Sequence, residues 1–173
     1  MADGTFAVLM LVAGLTDIGF NHCGTETGCL GRGPAQPRLA FSAGQVLERQ
    51  ANEAAEVYLR YDLGRTWGPF QPAAGLSVSD SGEVWAGFGP TWDYAFGSSG
   101  FYTELHAMPG LNLDDTGFDL GGAVAFRSGM EIGYESDGGW RYALSYDHRS
   151  NAGLYEENPG IETVQLRLSI PLK

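Results

Sequence analysis

Basic residues are scarce in this chain. Ten lysines and arginines stand against 21 acids, a formal charge of -11 and a pI near 4.5. That balance excludes nucleic acid as a partner, because binding a phosphate backbone draws on clustered positive charge. Acidity alone reads as solvated faces and assigns no function. Long apolar runs are missing too: nothing approaches the roughly 20 consecutive apolar residues of a spanning helix, so none is expected. The longest candidate, from Phe6 to Leu15, suits the core of a secretory signal. Against that, Asp3 stands where positive charge is usual and Ala13-Gly14-Leu15 makes a poor cleavage site, so a short ordered N-terminal segment is the alternative. Cysteines number only two. Cys23 and Cys29 enclose five residues, a spacing that favours a local disulfide in an exported protein. A metal site adding His22 would lack a fourth ligand and the usual spacing, so no metal is expected.

Glycine is abundant: 26 of 173 residues, about twice the usual share of roughly 7%. The excess suits a sheet closing tightly on itself and argues against a helical protein. The length suits one domain after an N-terminal segment, with residues 1–37 as that segment and 38–173 as a β-domain. Beyond Pro37 the chain breaks into alternating segments separated by turn residues. Strands are expected over 38–48, 54–64, 70–78, 83–96, 101–107, 118–135, 140–150 and 162–170. On the second, Ala55, Val57, Leu59, Tyr61 and Leu63 alternate with Glu56, Tyr58, Arg60 and Asp62. On the sixth, Leu120, Val124, Phe126, Met130, Ile132 and Tyr134 oppose Asp119, Arg127, Glu131 and Glu135. Eight such segments, an even number, predict an all-β fold: an eight-stranded antiparallel transmembrane β-barrel of outer-membrane type, with lipid outside and polar groups inside. Glu56, Arg60, Glu104, Arg127, Glu131, Arg141 and Arg167 would neutralise one another in the interior, with His106 as a core histidine among them. A soluble lipocalin-like barrel also alternates, but its interior rarely needs seven charges.

The last two strands carry the chemistry. Trp140, Tyr142, Leu144, Tyr146, His148 and Ser150 share one face, with Arg141, Ala143, Ser145, Asp147 and Arg149 on the other. Glu162, Val164, Leu166, Leu168 and Ile170 form a second apolar face. A hairpin closing near Tyr155 sets Glu162 opposite His148, Val164 opposite Tyr146 and Leu166 opposite Leu144. A carboxylate then flanks an imidazole and the imidazole a hydroxyl, the orienter, base and nucleophile order that activates serine for acyl transfer.

The stretch His148-Arg149-Ser150-Asn151-Ala152-Gly153-Leu154, with Asn158-Pro159-Gly160-Ile161-Glu162 and the closing Ser169-Ile170-Pro171-Leu172, closely resembles the C-terminal signature of the lipid A 3-O-deacylase (PagL) family of outer-membrane enzymes. The resemblance is sharp over about the last thirty residues and is otherwise a matter of strand pattern. It implies a catalytic triad of His148, Ser150 and Glu162, and it carries the family asparagines onto Asn151 and Asn158. Asn158 and the Gly153 backbone amide are the candidate oxyanion donors. Asn151 is divided between that support and shaping the turn. Glu156 and Glu157 lie nearer the loop tip and lack the paired register of Glu162. The implied activity is hydrolysis of the 3-O-linked acyl ester of lipid A in lipopolysaccharide, at the bacterial cell outer membrane, with no cofactor needed. Outer-membrane lipid would surround the barrel, and a homodimer is left open. The alternatives are a catalytically idle interaction barrel and a phospholipid-directed lipase on the same scaffold. Arg141, Arg149 and Lys173 could meet lipid phosphates, though both arginines have inward parity.

Overall fold

The structure is a computed structural model that describes residues 4–47, 53–113 and 120–173. Among these residues the chain opens with helix α1 (Thr5–Asp17), prolonged by a wider π-turn over Ile18–His22. Ten strands follow: β1 (Arg32–Pro34), β2 (Arg38–Leu47), β3 (Glu53–Asp62), β4 (Arg65–Trp67), β5 (Gln71–Ser79), β6 (Val84–Ala95), β7 (Phe101–Asn112), β8 (Val124–Glu135), β9 (Arg141–Ser150) and β10 (Ile161–Pro171). β1 and β4 pair as a small antiparallel ribbon. The other eight close into an antiparallel barrel in the order β10-β2-β3-β5-β6-β7-β8-β9. Closure leaves no unpaired edge, which is what lets a sheet stand in hydrocarbon.

Alternation decides which side faces lipid. On β3, Val57, Leu59 and Tyr61 are exposed while Glu56, Tyr58, Arg60 and Asp62 are buried. The interior is ionic and nearly balanced among the described residues. Arg38, Arg60, Arg127, Arg149 and Arg167 are buried together with Glu56, Asp62, Glu83, Glu104, Glu131 and Asp147. Arg127 bridges Glu56 at 2.8 Å and Asp147 at 2.7 Å. Arg60 meets Glu104 at 2.6 Å and Asp62 at 2.8 Å, and Arg149 reaches Glu56 at 2.9 Å and Glu83 at 3.3 Å. Arg167 pairs with Glu131. All seven residues expected inside do lie on the inner wall, with Arg141 bound to Glu135 near one rim. His106 is wholly buried, its Nε2 3.6 Å from Asp147 Oδ1. Packing is close enough to require glycine where interior side chains lean on neighbouring strands: a Cβ at position 75 or 133 would enter the rings of Tyr58 or Tyr102.

Three expectations need correction. The sixth barrel strand begins at Val124, not at 118; Leu120 lies ahead of it and is buried in an internal apolar cluster instead of facing outward. The fifth runs on past Ala107 to Asn112, carrying the outward alternation through Pro109 and Leu111. The N-terminal helical run Thr5–His22 spans 18 residues at mean hydropathy 1.3, long and apolar enough to cross a membrane by length and composition, a test that signal sequences also pass. Asp3, Glu48, Phe118 and Asp119 lie outside the described residues.

Helix α1 packs on the outside of β6, β7 and β8. Met10 is buried there and Gly14 abuts Phe70. Trp92 Nε1–H donates to Asp17 Oδ2 at 2.9 Å. This cover explains why Leu105, on the outward parity of β7, is nonetheless buried. The rest of the helix is apolar and open, with Val8, Leu11, Val12 and Leu15 exposed. Cys23 and Cys29 form the expected local disulfide.

Candidate active site

The ladder between β9 and β10 has the expected register: His148 pairs with Glu162, Tyr146 with Val164 and Leu144 with Leu166. Side chains directly opposed on one face are neighbours at roughly 4.5 to 5.5 Å between Cβ atoms. Here the contact is made. His148 Nδ1–H donates to Glu162 Oε1 at 3.0 Å, the direction a carboxylate acceptor requires. His148 Nε2 is buried and has no hydrogen-bond partner among the described residues. Ser150 follows two residues on, so its side chain shares the outer face with that nitrogen. His148, Ser150 and Glu162 line one pocket of about 710 Å³ in the outer wall, with Asn158, Gly153 and Gly160 beside them.

The loop from Asn151 to Gly160 is held by its asparagines. Asn151 is fully buried, and its Nδ2 donates to the carbonyls of Leu120 at 2.6 Å and Glu157 at 2.5 Å. Its Oδ1 accepts the Gly153 amide at 2.8 Å, while its own amide donates to Asn158 Oδ1 at 3.0 Å. Asn151 is therefore the clasp that fixes the turn. Gly153 N–H, an expected oxyanion donor, is engaged inside the loop, whereas Asn158 Nδ2 donates to no partner among the described residues and Asn158 lines the pocket. Ala152 and Gly153 both take positive φ, 54° and 78°. Ala152 is the one described non-glycine residue to do so, a strained conformation of a kind that gathers at functional loops. Gly160, at φ +65°, backs the imidazole: a Cβ there would stand 2.9 Å from His148 Cε1. Glu156 and Glu157 are exposed in the loop and take no part in the His148 contact.

Several wall residues were not foreseen. Leu47, Ala107, Pro109, Phe126 and Ser128 line the pocket, as do Ala7 of α1 and Gly4 at its N-cap. Ser128 pairs across from His148 on β8 and Phe126 across from Ser150. Period-two alternation puts both on the outward face of β8, but only the β8–β9 register brings them to the histidine. Arg149 is buried among interior acids, and Lys173 follows the far end of β10, so neither stands at this pocket.

The strand ends Leu47 and Glu53, Ser79 and Val84, Asn112 and Val124, and Ser150 and Ile161 all lie at the pocket's end of the barrel, as the registers require. Exposed Tyr61, Tyr94, Phe96, Phe101, Tyr134, Trp140 and Tyr142 gather toward the opposite end, where both barrel termini also lie, and make an aromatic girdle of the kind seated at a membrane interface.

The family model described as lipid A 3-O-deacylase (PagL) matches residues 52–171. The chain belongs to the lipid A 3-O-deacylase (PagL) family. As a member of the PagL family it is a carboxylic ester hydrolase. Among solved structures it is similar to the outer membrane enzyme PagL, with TM-score 0.65 and 22% identity over 78% of this chain and 99% of that one. It is also similar to a de novo designed transmembrane β-barrel (TM-score 0.59, 12% identity, 81% and 98% covered) and to Neisserial surface protein A (TM-score 0.54, 10% identity, 82% and 99% covered). At these identities the likeness is one of fold, and that fold is consistent with the bacterial outer membrane. No curated protein matches the chain in sequence.

Proposed function

We propose that the chain removes the 3-O-linked acyl chain of lipid A at the outer leaflet of the bacterial outer membrane, using Ser150 as nucleophile, His148 as base and Glu162 as orienter. The observation that carries this reading is the 3.0 Å contact between His148 Nδ1 and Glu162 Oε1, in an outer-wall pocket that Ser150 also lines. His148 Nε2 takes the hydroxyl proton as Ser150 Oγ attacks the ester carbonyl, and Glu162 stabilises the imidazolium. The tetrahedral oxyanion is met by the side-chain amide of Asn158, a donor of a kind worth roughly a hundred- to a thousandfold in rate. Collapse breaks the bond to the sugar 3-oxygen, which leaves with the proton from His148. Water, activated by the same imidazole, then releases the fatty acid from Ser150. A triad on the lipid-facing wall suits an ester that never leaves the bilayer.

The test incubates the purified protein in detergent with lipopolysaccharide and follows 3-hydroxy fatty acid by mass spectrometry. Ser150→Ala, His148→Ala and Glu162→Ala are each expected to lower the rate, the first by about a thousandfold or more, while Ser128→Ala retains activity. An active Ser150→Ala with an inactive Ser128→Ala would move the nucleophile to β8. No release by the unaltered protein would leave an idle barrel, and release from phosphatidylglycerol alone would leave a phospholipid lipase.

A further inference from the structure

Glu162 has one oxygen in use and one that is not. Oε1 accepts from His148, whereas Oε2 is shut off from solvent and has no donor at ordinary hydrogen-bond geometry among the described residues. A buried carboxylate oxygen left in that state is unstable in position, because nothing fixes rotation about the last torsion. Across the ladder, Glu162 has Leu47 of β2 on one side and His148 of β9 on the other, so neither backbone-paired neighbour supplies a second donor. The diagonal neighbour carries one. Tyr146 shares the outer face of β9 with His148 and Ser150, and it pairs with Val164, two residues from Glu162, which sets its phenol on the diagonal to that carboxylate. Diagonal partners on one face lie within reach of a long aromatic side chain. The Tyr146 ring is itself steadied by Phe6 of α1, with centroids 5.7 Å apart.

We infer that Tyr146 is a positioning residue for the triad: its phenol O–H donates to Glu162 and holds the carboxylate in the plane that His148 needs, making a four-membered chain Tyr146, Glu162, His148 and Ser150 along one hairpin. It acts through Glu162 and touches no substrate. The inference rests on the triad reading above.

Removing the phenol O–H leaves the carboxylate with its full charge, so it holds the imidazolium more tightly and the proton is harder to release. Tyr146→Phe in the full chain is therefore expected to lower kcat about tenfold, to leave KM within about twofold, and to move the acid limb of kcat/KM to higher pH. Replacing Tyr146 with 3-fluorotyrosine, a stronger donor of nearly the same shape, moves that limb to lower pH. Rates are taken per folded barrel, counted by the gel shift between heated and unheated samples, so a purely structural role would change the amount of barrel without moving the limb. An unmoved limb and near-unaltered kcat in Tyr146→Phe, with Ser150→Ala inactive, would overturn the tyrosine's role and spare the triad. An active Ser150→Ala would overturn the triad and this inference with it.

Discussion

Gly160 shows how little room the imidazole has. It stands at φ +65°, a region that costs an L-residue strain, and a Cβ there would press to 2.9 Å on His148 Cε1. Gly160→Ala must either turn the ring or open the loop. Misplacement of a reacting group by about an ångström can cost a hundredfold. The variant should keep its heat-modifiable gel shift while its deacylation rate drops about tenfold to a hundredfold; an unaltered rate would mean that the ring tolerates rotation. Both histidines of the barrel wall were legible in the sequence for different reasons. His148 lies on the outward parity two residues before a serine, and His106 lies on the inward parity among acids. What alternation could not reveal was the backing of the ring by Gly160, because a contact of that kind depends on loop path and not on period.

The loop between β9 and β10 is ordered chiefly by Asn151, with the side chains of Asn158 and Tyr155 each accepting one backbone amide. Asn151 makes three hydrogen bonds through its side-chain amide and two through its backbone, tying the loop to the β7–β8 connection at Leu120. Asn151→Ala would strand the carbonyls of Leu120 and Glu157 and free the Gly153 amide. Each unsatisfied buried group costs about 1 to 3 kcal/mol. The expected result is faster proteolysis within 151–160 and a fall in kcat, with the barrel's own unfolding midpoint nearly unaltered. The eight barrel strands were readable from period-two alternation, the three-residue strands of the β1–β4 ribbon were too short to show it, and the hairpin register followed from one assumption about where it closes. The start of β8 was not readable, because Gly121 and Gly122 continue an apolar pattern without a strand: Gly121 packs under the Glu157 carbonyl and Gly122 under Tyr155. The continuation of β7 was masked by Pro109, which cannot donate to the ladder but is tolerated where, opposite Phe88, the β6–β7 pairing is interrupted.

The barrel separates an ionic interior from an apolar outer wall, and each can be tested apart. Inside, Arg127 joins Glu56 and Asp147 and lies 4.1 Å over the Tyr58 ring. Arg127→Met keeps the bulk but leaves two buried carboxylates short of their cation. Breaking a buried network this way typically costs about 3 to 5 kcal/mol, which should appear as a lower urea midpoint in the gel-shift assay. Outside, the placement of the pocket with the β9–β10 loop at one end, and of the aromatic girdle and both barrel termini at the other, fixes which end meets the cell surface if lipid A is the substrate. Because Cys23 and Cys29 are bonded to each other, a cysteine introduced elsewhere is the one free thiol. Glu156→Cys, in the exposed site loop, should be labelled by a membrane-impermeant maleimide on intact cells. Ser98→Cys, in the turn between β6 and β7 at the girdle end, should be labelled only after the outer membrane is breached. The reverse pattern would put the triad at the periplasmic rim, away from the leaflet that holds lipid A, and the proposed substrate could not reach it.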